Sequence, residues 1–257
     1  MLALATPLLA LALGAALPDG RDTAWIPASV DAGCDVTDID FSDRLHGFAT
    51  CAFSDAMTTD DGGLSWHVFG TGLQQSLLFA HASSTDELYA ARLGFYHSTD
   101  RGQHWEELGG LSDNFGSVFD VYFGDAGHLV AIQGGTLLTS DDGGAHWQPR
   151  WPETQDFYFD ELHFPSASVG YASGGISSEA GSLGSILRTD DAGVSWAPLA
   201  FTHGEIVAAD FLDDARGVVA TQPGELWSTA DGGGRWQLIG AKPDESLLLD
   251  LVHRDDM

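Results

Sequence analysis

One octapeptide pattern, Ser/Thr-x-Asp-x-Gly-x-x-Trp, recurs five times and limits what this chain can fold into. The copies are Thr59–Trp66 (TDDGGLSW), Ser98–Trp105 (STDRGQHW), Ser140–Trp147 (SDDGGAHW), Thr189–Trp196 (TDDAGVSW) and Thr229–Trp236 (TADGGGRW). A sixth tryptophan, Trp25, lies in phase without the rest of the pattern, and from it successive tryptophans fall 41, 39, 42, 49 and 40 residues apart. A period of about 40 residues is that of one four-stranded blade in a radially repeated sheet. No segment sustains a helical period. The chain is therefore expected to be all-β, a β-propeller of four-stranded antiparallel blades.

Each conserved place in the octapeptide has a physical task. The aspartate (Asp61, Asp100, Asp142, Asp191, Asp231) accepts backbone N–H groups inside its own turn. Its Ser or Thr partner is Thr59, Ser98, Ser140, Thr189 or Thr229. The glycine (Gly63, Gly102, Gly144, Gly193, Gly233) takes a backbone conformation closed to other residues. The tryptophan (Trp66, Trp105, Trp147, Trp196, Trp236) opens the next strand and buries a large ring. A catalytic or metal site is built once, whereas scaffolding recurs in every repeat. These aspartates are therefore read as structural.

Between the octapeptides the other strands are legible. DVTDIDF (Asp35–Phe41), SVFDVYF, FDELHF and IVAADF each end at an aligned phenylalanine: Phe41, Phe123, Phe164 and Phe211. A turn and a strand of small residues follow. The stretch Leu77–Trp105 keeps the plan more loosely. The last residues, Ser246–Met257, read as the first strand of a further repeat that stops short. The expectation is five complete blades plus a partial sixth, as in a truncated sequence, with residues 18–257 forming a single domain.

The first 17 residues are almost wholly apolar and end in small residues, the pattern of a signal peptide, with a retained N-terminal anchor as the alternative. An exported protein is expected: periplasmic, cell-surface or extracellular. Cys34 and Cys51, the two cysteines, suit an oxidising compartment and form a candidate disulfide. The formal charge of −28, from 38 acidic against 10 basic residues, excludes nucleic acid and anionic lipid as partners. The ten histidines show no metal-ligand spacing. No metal or cofactor is expected, and the protein is expected to be a monomer.

At these motifs the chain resembles the Asp-box (BNR-repeat) propellers of the sialidase-like superfamily. More narrowly, it is similar in style to the photosystem II assembly and stability factor-like proteins. The resemblance spans roughly residues 25–257 and implies an exported, non-catalytic scaffold that binds a protein or glycan partner and serves in assembly. The alternative is a degenerate sialidase-like enzyme or another glycoside hydrolase. Sialidases hold their substrate with three arginines, placed at the blade ends opposite the boxes. Here Arg44, Arg101, Arg188, Arg216 and Arg235 fall in or beside boxes or strand 1–2 turns, so no triad assembles and no catalytic residue is assigned. Two longer loops are expected to open on the face opposite the boxes, Arg150–Phe159 and Gly174–Gly184, the second an insertion that stretches the fourth interval. Trp151, Phe157 and Tyr158 in the first are the candidate partner-binding rings.

Overall fold

The computed structural model describes residues 35–52, 55–109, 111, 116–151, 157–178, 181–222 and 224–241. Residues 1–17, read above as a signal segment, Trp25, Cys34 and residues 246–257, read as part of a further repeat, lie outside the described residues. The described chain is all-β and forms five four-stranded antiparallel sheets, each meandering in chain order. It divides between Leu108 and Gly109 into two compact units.

In the N-terminal unit, sheet one holds β1 (Val36–Phe41), β2 (Gly47–Cys51), β3 (Asp55–Thr59) and β4 (His67–Gly70). Sheet two holds β5 (Phe79–Ala82), β6 (Leu88–Ala91), β7 (Phe95–Ser98) and β8 (Glu106–Leu108). The C-terminal unit carries three sheets. Sheet three is β9 (Val118–Phe123), β10 (Leu129–Gln133), β11 (Thr136–Ser140) and β12 (Gln148–Trp151). Sheet four is β13 (Phe157–His163), β14 (Gly170–Ser178), β15 (Gly181–Thr189) and β16 (Ala197–Pro198). Sheet five is β17 (Ile206–Phe211), β18 (Gly217–Thr221), β19 (Glu225–Thr229) and β20 (Gln237–Ala241).

Within each unit the core lies between successive sheets. Phe48 and Ala56 of sheet one meet Ala80, Leu88 and Ala90 of sheet two and Leu77 just ahead of it, with Trp105 packed against them. Val130, Ile132 and Leu137 meet Phe159, Ala172, Leu187 and Trp196 across the next seam. Tyr171 and Ile186 meet Phe201, Ile206, Phe211 and Val219 across the last, with Trp236 alongside.

Large and small residues match across the first strand pair of sheets one, four and five. Phe41 faces Gly47 in register, and Phe211 faces Gly217. A Cβ on Gly47 would stand 2.6 Å from the Phe41 ring. Gly170 and Gly217 lie as closely under the Phe164 and Phe211 rings. Sheet two inverts the pairing, with small Ala82 opposite large Leu88. That compensation explains how β5–β6 keeps the plan without the phenylalanine.

The segment Gly174–Gly184 differs from its reading as a loop insertion. It lengthens β14 and β15 to nine residues each, in register to Ser178↔Gly181. The Gly-Gly-Ile-Ser-Ser run lacks proline, and every added residue on one strand finds a ladder partner on the other. Cys51 is fully buried on β2 and disulfide-bonded.

Candidate partner-binding site

Every sheet has a box end and an opposite end, and the two are built differently. At the box end each octapeptide joins strand three to strand four. The Ser or Thr hydroxyl donates to its aspartate at 2.8–3.1 Å and accepts the glycine N–H at 2.8–2.9 Å. The same aspartate accepts the N–H four residues on, from Ser65, His104, His146, Ser195 or Arg235, at 2.8 Å in all five copies. These donors hold the carboxylates below their usual range. Asp100 and Asp142 fall to about 2, chiefly through hydrogen bonds from His104 and His146.

A further bond ties each box to the strand 1–2 turn of its own sheet. The N–H after the aspartate donates to the carbonyl of Leu45, Asp86, Gly127, Ser168 or Ala215. That residue is left-handed in every copy, at φ 72, 60, 71, 58 and 70° for Gly62, Arg101, Gly143, Ala192 and Gly232. Only the glycine beyond it is invariant in the motif, at φ 80–93°. The first position admits arginine or alanine, so sequence comparison alone does not mark it as strained.

Three of the arginines near the boxes are committed within this frame. Arg188 pairs with Asp190 at 2.6 Å and donates to Tyr171 and the Asp214 carbonyl, Arg216 pairs with Asp213, and Arg101 pairs with Asp60. Arg150, on β12, donates to the Thr139 hydroxyl at 2.8 Å.

At the opposite end of the C-terminal unit, side chains that belong to no repeat come together. Tyr158 donates to Glu205 at 2.8 Å, from β13 to the segment ahead of β17. Gly175 leaves room for the ring, since a Cβ there would stand 2.8 Å from Tyr158 Cε1. Two residues before Glu205, the His203 ring stacks on Trp227 with centroids 3.7 Å apart. The Trp227 indole N–H donates to Glu225 at 3.1 Å. The Gln222 N–H donates to the Glu205 carbonyl and closes the group. Tyr158, His203, Glu205, Glu225 and Trp227 are all half-buried, which leaves part of each at the surface. Among the described residues neither glutamate has an ion-pair partner.

Of the rings marked in the sequence, Tyr158 belongs to this group. Trp151 and Phe157 pack edge to face, 6.3 Å apart, against the core between sheets three and four. The intervening residues 152–156 lie outside the described set. Sequence reasoning missed His203, Glu205, Glu225 and Trp227, which no motif marks. The Tyr158–Glu205 pair sits about 13 Å along the strands from Arg188, four β15 residues from the Gly184 register position. Among the described residues no group of three or more His, Cys, Asp or Glu side chains is arranged to hold a metal ion. No described helix is long and apolar enough to cross a membrane.

No protein-family model matches the chain. It is 30% identical over 155 residues to the photosystem II assembly lipoprotein Ycf48 of Synechococcus sp. (strain CC9902). The alignment covers 55% of this chain and 46% of that protein, so the chain spans about half the length of the curated relative it matches. Among solved structures, YCF48 bound to D1 peptide is similar at 16% identity and TM-score 0.52, over 82% of this chain and 83% of that one. The GH74 xyloglucanase of Xanthomonas campestris is similar at 14% identity and TM-score 0.64, over 80% and 38%. The WD40 β-propeller domain of Doa1 is similar at 13% and 0.60, over 81% and 68%. The fold is of the β-propeller kind. At these identities the likeness to solved structures extends to fold alone.

Proposed function

We propose that this chain is an exported, non-catalytic β-propeller that binds a protein partner in an assembly role. Its docking surface is the end of the C-terminal unit opposite the boxes. The observation that carries the reading is the convergence of Tyr158, His203 and Trp227 with two glutamates that have no ion-pair partner among the described residues. Rings that present both an apolar face and a polar edge are the residue types that dominate protein interfaces. The boxes act as scaffold, because each aspartate is spent on its own turn. The similarity to an assembly lipoprotein supports the assembly role. The YCF48 structure with bound D1 peptide supports a polypeptide, rather than a glycan, as the ligand class.

The test is capture of partners from the native envelope fraction by the full chain, by Trp227→Ala and by Glu205→Gln. Loss of a captured polypeptide with an unchanged unfolding midpoint supports the reading. Undiminished capture by both variants sinks it, and capture of a glycan in its place replaces the partner class. A second reading has one observation in its favour. Tyr158 and Glu205 are paired as a tyrosine and glutamate are in sialidases, although among the described residues no arginine triad stands beside them. Turnover of a fluorogenic sialoside or β-glucan panel, lost in Tyr158→Phe, would establish that reading instead.

A further inference from the structure

The seams inside the C-terminal unit carry a device the repeat pattern does not reveal. The first strand of each sheet is an edge, and its outward N–H groups need acceptors. Carboxylates of the preceding sheet supply them. Asp120 on β9 accepts the Leu162 N–H of β13 at 2.7 Å, and Glu161 on β13 accepts the Ala209 N–H of β17 at 3.0 Å. The same rule holds in the N-terminal unit, where Asp38 and Asp40 accept from Ala80 and Ala82.

Glu161 differs from the others in its surroundings. Both of its donors, the Ala209 N–H and the Ser173 hydroxyl, reach one oxygen, Oε2. Among the described residues no donor reaches Oε1. The charged groups on the strands packed about it are almost all acidic: Asp120 on β9, Asp160 beside it on β13, and Asp210 on β17. β10 and β14 carry no charged residue. The one side chain of these strands able to become cationic is His163, which is engaged by the Phe211 carbonyl at 2.8 Å and Asp210 at 3.3 Å. A half-buried carboxylate among carboxylates, with no counter-cation, is costly in its charged form.

We propose that Glu161 makes the seam between sheets four and five a proton-dependent joint, firm while its carboxyl is protonated and loosened when it ionises. Burial, with Asp120 and Asp160 adding to it, pushes the carboxyl up to about 7. In the unfolded chain it titrates near 4.5. Across that interval the folded state holds the extra proton, so this group's contribution falls as pH rises from about 4.5 to about 7 and is level outside it.

The full chain and its Glu161→Gln variant, which cannot ionise, are to be unfolded in urea at steps from acid to mildly alkaline pH. Relative to the variant, the wild-type midpoint is expected to fall as pH rises through that interval. Parallel midpoints overturn the proposal. Should the variant not fold, the Glu161 carboxyl carbon is followed by NMR in the wild type. A titration near 7 supports the joint, and one near 4.5 overturns it.

Discussion

The two ends of the C-terminal sheets make an instructive pair. At the box end the same bonds recur in sheets three, four and five: a hydroxyl to a carboxylate, a glycine N–H to the hydroxyl, and a box N–H to a turn carbonyl. At the other end a backbone closure recurs, Gly134 N–H to Ser117 and Gln222 N–H to Glu205, but among the described residues the side-chain contacts do not. Tyr158 bonds across to Glu205, and His203 lies on Trp227, each once. Repetition spends polar groups on the frame, while departure from it leaves rings and carboxylates partly at the surface. The lesson is to seek the working surface where the period fails.

The largest effect is expected from Gly170→Ala, at the box end, where a methyl group meets the Phe164 ring. Overpacking of that kind costs about 3 kcal/mol, read as a lowered urea midpoint. A cost near zero would mean that the close Gly–Phe fit does not hold the box end. Next comes Thr189→Val, which leaves the buried Gly193 N–H without its acceptor. The expected loss is about 2 kcal/mol with partner capture unchanged, so lost capture would break the division between the ends. Glu205→Gln, at the other end, should move stability by about 1 kcal/mol or less while capture fails. The smallest effect sharpens the contrast inside the box. Ala192 is held at φ 58°, and Ala192→Gly should gain about 0.5 kcal/mol. Thermal melting decides that, and a loss would show that the left-handed turn is not the strained element.

Much of the frame was legible because its signals are local. A box turn makes most of its bonds within eight residues, from Thr189 to Trp196 for instance, so its residue types appear at fixed spacing. The aligned phenylalanines were visible for the same reason, although the glycines under Phe41, Phe164 and Phe211 became clear only from the structure. The C-terminal site was legible in part. Tyr158 stood out as an aromatic residue in a longer connection. Glu205 and Glu225 did not, because among 38 acidic residues no single one carries a signal. The lengthened β14–β15 pair was misread as a loop, since serine and glycine are loop formers by composition and become strand only when a ladder partner stands opposite.

Sequence alone determined the all-β class, the four-stranded unit and the place of every box turn, because contacts within a turn depend on near neighbours in the chain. Tertiary structure decided which groups meet: Glu161 with the Ala209 N–H and Tyr158 with Glu205 across the seam between sheets four and five, and His203 with Trp227 where the segment ahead of β17 lies on β19. Those residues are separated by 24 to 48 positions. The Glu161–Ala209 separation is close to one repeat, yet only the packing of sheet against sheet turns it into a contact, and no repeat position marks Glu205, His203 or Trp227.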